Sequence, residues 1–132
     1  MKAKLLVLLT ILVIASGLTA RAHHSFAATY DEARTVKIEG KLVQFLFRNP
    51  HSFVHVMAPD DSGQMHRWAV EWGGTGALGQ QGVTRETLRP GDVVVITGSP
   101  GRNPTDFRVR MQTLHRTSDG YGWGTKPGET VD

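Results

Sequence analysis

The sequence predicts an all-β domain preceded by a secretory signal peptide. Three observations carry that expectation. A basic start runs into a short apolar stretch, later segments alternate apolar and polar residues with a period of two, and turns rich in glycine and proline separate those segments.

Met1-Lys2-Ala3-Lys4 is a charged opening, Leu5 to Ala15 is an apolar run of 11 residues, and Ala20-Arg21-Ala22 ends a less apolar segment in a small-x-small cleavage pattern. A membrane-crossing helix needs roughly 18 or more such residues, so cleavage after Ala22 is expected and no stable anchor should remain. Lys2, Lys4 and Arg21 leave with the leader, which lowers the 15 basic residues to 12, equal to the 12 acidic ones. A mature domain without net charge has no broad field for nucleic acid. There is no cysteine, so a chain exported to the periplasm or beyond must be held by its core rather than by disulfides.

In the mature chain, residues 23–34 read as an extended lead-in, 35–116 as the folded domain and 117–132 as a flexible tail. Val36, Ile38, Gly40 and Leu42 alternate with polar neighbours, and Val43, Phe45 and Phe47 then take over the apolar phase, which predicts a first strand with a bulge. Asn49-Pro50 breaks the run. Strands are expected from about His51 to Ala58 and from Gln64 to Trp72, joined as a hairpin across Pro59-Asp60-Asp61-Ser62-Gly63. Residues 73–82, with five glycines, read as a loop or a loosely wound turn, and a short helix is expected from Thr84 to Leu88 with Thr84 as its cap. Val93 to Ile96 and Phe107 to Thr113 complete five strands.

Three strands, a helix and two strands in about 80 residues is the order of a small oligonucleotide/oligosaccharide-binding (OB)-like barrel, with its one short helix between strands 3 and 4. A two-layer sandwich is the alternative. Pairing of the first strand with both the second and the fourth separates the two.

The unusual chemistry of this chain is imidazole. Six histidines, His23, His24, His51, His55, His66 and His115, all follow the leader. Cleavage after Ala22 would give His23 a free α-amine beside its own ring, and His24 would follow directly. An amine and two imidazoles form a T-shaped nitrogen set suited to Cu(II), whereas cleavage after Ala20 would place His23 third, which also favours copper or nickel. His51, Phe53 and His55 share one strand face, but two histidines four residues apart span about 13 Å, so at most one should join a site. A hairpin centred on Asp61 and Ser62 would set His55 opposite Trp68, as a ring stack needing no metal, and His51 near Trp72. His51, just after a turn, is the better placed of the two for function. Met57, Met65 and Met111 offer thioethers, though methionine more often fills cores.

Glu71 should face away from Trp68, Val70 and Trp72. It has no second carboxylate or activated nucleophile at a recognisable spacing, so the sequence gives no catalytic constellation. The glycines after Trp72 lack the lysine and spacing of a phosphate loop.

Ala22-His23-His24-Ser25-Phe26, Arg48-Asn49-Pro50-His51-Ser52, Arg67-Trp68-Ala69-Val70-Glu71-Trp72-Gly73-Gly74 and Leu88-Arg89-Pro90-Gly91-Asp92 with Gly98 resemble, in order, the blocks of a family of exported bacterial proteins of unknown function. The resemblance implies a small exported β-barrel and brings no activity with it. Two binding functions are therefore expected to compete, and a third, enzymatic reading would need Glu71 and His51 within hydrogen-bond reach in a concave pocket. One is a periplasmic or secreted binding module holding a transition metal, copper, through His23, His24 and His51 or His55. The other is a metal-free module that binds a peptide, glycan or envelope protein through Phe53, Trp68, Glu71 and Trp72.

Overall fold

A computed structural model of the chain describes residues 25–131; the expected leader, His23 and His24 lie outside the described residues. The elements are α1 (Ser25–Thr29), β1 (Val36–Leu46), β2 (Phe53–Pro59), β3 (Met65–Glu71), α2 (Thr75–Gln80), β4 (Val93–Pro100), a 3-10 turn (Pro104–Asp106), β5 (Arg108–Arg116) and β6 (Gly122–Trp123). β1 pairs antiparallel with both β2 and β4, β2 with β3, and β4 with β5. β3 and β5 run parallel and close the ring. The result is the expected five-stranded barrel with one short helix between strands 3 and 4, rather than an open sandwich, and β6 adds to the free side of β5.

β1 can serve two neighbours because it is long, bulged and has no side chain at one point. Its register against β2 slips between Leu42 and Gln44, the bulge that the change of apolar phase predicts. At Gly40 a Cβ would lie 2.1 Å from the Met57 carbonyl oxygen, so only glycine lets β2 approach this closely. Inward residues of the ring, among them Ile38, Leu42, Val54, Val56, Val70, Val94, Ile96, Val109, Met111 and Leu114, form the core.

The hairpin departs from expectation by one residue. Asp60 and Gln64 still bond across the turn, leaving Asp61, Ser62 and Gly63 as a three-residue loop with Gly63 at φ 86°. His55 consequently faces Ala69, while Trp68 faces Val56. A slip of one residue moves side chains to the opposite face, so the expected His55–Trp68 stack does not form. The Asp60 carboxylate organises the loop by accepting from the Ser62 hydroxyl at 2.6 Å and from the Ser62 and Gln64 N–H groups at 2.9 and 3.0 Å.

The helix also moves. Residues 84–88 make turns, with Thr84 Oγ1 accepting from Glu86 N at 3.3 Å but no helix following before Pro90. Helix α2 forms instead in the glycine-rich stretch, because Leu78 is fully buried there and that anchoring outweighs poor intrinsic propensity. At the ends of the domain, residues 25–29 are helical rather than extended, and the expected loose tail from 117 does not hold for Trp123, which is 1% exposed in the core.

Two stability predictions follow from this packing. Gly40→Ala should cost about 2 kcal/mol or more, because backbone must shift, whereas Gly76→Ala, with nothing within 4 Å in a helix, should be neutral or slightly stabilising; urea denaturation of both variants compares them. The second concerns Asp60, whose carboxyl is held down at about 2, foremost by the Ser62 hydroxyl. Since the folded value lies below the unfolded one, Asp60 supports the fold above about pH 4 and loses that effect as pH falls towards about 2. Asp60→Asn should flatten the fall of the denaturation midpoint across that window.

Candidate functional site

The β3–β5 seam has its outward side covered by the chain that leads into β1. Tyr30 is fully buried there. Backbone bonds from Asp31 N to Pro100 O and from Arg102 N to Thr29 O, both 2.9 Å, strap this segment to the end of β4 and the loop beyond it. Phe26 and Tyr30, four residues apart, are joined by the bond from Tyr30 N to Phe26 O at 2.7 Å.

Beneath the strap sits Glu71, facing away from Val70 and Trp72 as its place in the alternation predicts, yet only 7% exposed. The Tyr30 hydroxyl donates a short hydrogen bond to Oε2, and Arg108 Nη2 lies 3.4 Å from the same oxygen. His51 Nδ1 lies 3.6 Å from Oε1. A buried carboxylate needs such partners. Burial first, and then the hydrogen bond and charge of Glu71, hold the Tyr30 phenol far above its ordinary range.

Two neighbouring cations complete the cluster. The Arg108 guanidinium lies 5.6 Å from the centre of the Tyr30 ring, and that of Arg110 lies 4.0 Å from the Phe26 ring while pairing with Glu32 at 3.0 Å. Phe26 meets the His51 ring edge-on, with centroids 5.2 Å apart. His51 is thus held between an aromatic ring and a carboxylate. Its side chain stays 35% exposed, with Nε2 on the side of the ring away from Glu71's partner atom.

The position of His51 comes from an interlock of two sequence blocks. Ser52 is fully buried; its hydroxyl accepts from Arg48 N and donates to Arg48 O, both at 3.2 Å, which fixes the turn before β2. Ser52 N donates to Gly73 O at 3.0 Å and Trp72 N to Ser52 O at 2.8 Å. Asn49 Oδ1 accepts from Thr75 N at 2.9 Å, and a Cβ at Gly74 would come within 2.6 Å of the Pro50 oxygen. The Asn-Pro-His-Ser and Glu-Trp-Gly-Gly blocks are therefore two sides of one joint.

The other residues singled out from sequence are distributed elsewhere. His55 lies on a neighbouring patch, with Arg67 Nε 3.4 Å from its Nδ1 and the Phe53 ring stacked at 6.4 Å. Burial first, then Arg67 and Arg48, push its pKa below the ordinary histidine value. Phe53 is on the outer face, whereas Trp72 is 1% exposed in the core and Trp68 is half-buried against Phe107, so the three rings do not form one surface. Met111 is in the core and Met65 is 53% exposed, so the thioethers do not converge. Among the described residues no group of three or more His, Cys, Asp or Glu side chains is placed to hold a metal ion.

Tyr30, Arg108, Arg110 and Phe26 are site residues that sequence reasoning passed over. The aromatic pair four residues apart was a readable helical signal. The two arginines were not readable as partners of Glu71, because only the parallel closure of β3 on β5 sets Arg110 beside Glu71 and Arg108 beside Ala69.

These features define a closed five-stranded β-barrel domain whose outer seam carries a strapped Tyr–Glu–Arg–His cluster. The chain belongs to the family described as Family of unknown function (DUF6152), whose model matches residues 11–108. No curated protein matches it.

Tyr30→Phe should destabilise the protein by about 1–3 kcal/mol, because it removes the phenol donor of a buried carboxylate. Tyr121→Phe, whose hydroxyl makes no hydrogen bond among the described residues, should stay within about 0.5 kcal/mol of the parent; chemical denaturation measures both.

Proposed function

We propose that the processed chain is an exported metal-binding module that holds copper through His23, His24 and His51, with Glu71 as the outer partner of the His51 ring. The observation that carries this reading is the contact between Phe26 and His51. His24 and His23 precede Phe26 by two and three residues, a span of at most about 7 to 11 Å of chain. Processing after Ala22 would therefore release a terminal amine and two imidazoles within reach of a third imidazole.

The second support is the Nδ1–Glu71 pairing. Histidines that ligate metals commonly turn their other ring nitrogen to a carboxylate, which fixes the ring and raises its basicity. Here that orientation leaves Nε2 for the ion. Amine and imidazole nitrogens suit tetragonal Cu(II) better than the hard oxygen-seeking cations. His55 has no part in this set: Arg67 and Arg48 surround it and its pKa is lowered by burial and those charges.

The test is Cu(II) titration of protein purified after export, with intact mass fixing its first residue and paramagnetic resonance reporting the nitrogen ligands. One ion with nitrogen hyperfine structure is expected. His51→Ala and a chain retaining Ala22 should each weaken binding at least about tenfold, Glu71→Gln about tenfold or more, and His55→Ala should have no effect. Unchanged affinity in both the His51→Ala variant and the Ala22-extended chain would refute the proposal.

A further inference from the structure

A second site adjoins the Glu71 cluster through Arg108, at one end of the barrel. There the β2–β3 loop and the loop before β5 border a cavity of about 440 Å³ whose lining includes Ile38, Trp68 and Phe107. That size falls within the range of small-molecule sites, and the mouth of a β-barrel is a common place for one.

Its floor is built from rings. Trp68 is fixed by its indole N–H, which donates to the Ala58 carbonyl at 3.1 Å, and Phe107 meets it edge-on with centroids 5.3 Å apart. Phe107 also stacks on His66 at 3.7 Å. It is the one non-glycine residue with positive φ among the described residues, at 45°, a conformation strained for a bulky side chain. That turn serves the barrel by placing the Phe107 carbonyl to accept from Ala69 N at 2.9 Å. It also sets the ring against the cavity, and strain of this kind gathers at binding sites.

The rim supplies charge. Arg34 and Lys37 line the cavity, both exposed, and neither has an ion-pair partner among the described residues. Arg108 also lines it, but its guanidinium is engaged by Glu71. Of the two carboxylates present, Asp60 is turned to its loop and to His66 at 2.8 Å, and with Asp61 it stands against three cations, Arg34, Lys37 and Arg108.

From this arrangement we infer that the barrel mouth binds a small organic anion with a flat apolar body, its rings on Trp68 and Phe107 and its negative group between Arg34 and Lys37. The inference does not depend on the copper reading, since neither His51 nor Glu71 lines the cavity.

Anilinonaphthalene sulfonate is a suitable probe, with neutral phenylnaphthylamine as its uncharged counterpart. The expected result is saturable one-to-one binding of the anion at least about tenfold tighter than of the neutral compound, with the Trp68 indole resonance shifting and that of Trp123 unmoved. Arg34→Glu with Lys37→Glu, at exposed positions, should weaken the anion at least about tenfold and abolish the preference, while His51→Ala should leave both unchanged. Equal binding of the two compounds, insensitivity to the charge reversal, or a shift confined to Trp123 would each overturn it.

Discussion

A carboxylate enclosed between a sheet and the strap that covers it is the constraint on which the rest of the outer seam depends. Glu71 could not be taken out of water alone, because an ion in a protein interior without partners costs several kcal/mol. Tyr30, Arg108 and His51 each supply a donor or a cation. Each of these comes from a different part of the chain, so satisfying one charge draws together the segment before β1, the turn before β2, the end of β3 and the start of β5. The N-terminal segment is held by these side chains together with the backbone bonds around the Tyr30–Gly101 bridge.

That arrangement gives the short α1 a meaning its length would not. Five residues of helix are marginal on their own. They persist because Tyr30 is buried at their end and Phe26 lies between Arg110 and His51. A segment fixed in this way holds Phe26 against His51. The same strap passes close to the barrel mouth through Arg34, so one short stretch of chain borders both proposed sites.

The barrel was legible in the sequence wherever a period of two decided the outcome. The first strand, its bulge and the pairing of inward residues follow from alternation, because burial of one face selects one register. The hairpin loop failed by a single residue, since Gly63 adopts a positive φ and lengthens the loop, and that slip carried His55 away from Trp68. The helix failed for a different reason: propensity favours 84–88 over a glycine-rich stretch, but burial of Leu78 is a tertiary fact. Trp123 was hidden in a polar tail composition for the same reason. His51 and Glu71 were readable as residues of interest, yet their meeting depends on the joint between Asn49 and Gly74, and Tyr30 depends on a closure between strands 3 and 5 that no local pattern announces.

Hydrogen exchange at the Asp31 amide, which donates to the Pro100 carbonyl, tests most directly whether the buried carboxylate holds the strap. The amide should exchange about a thousandfold more slowly than in a free chain, and Glu71→Gln should erase most of that protection while core amides such as that of Val54 keep theirs. Exchange at the rate of an unstructured terminus in the parent protein, or protection indifferent to Glu71, would contradict the account.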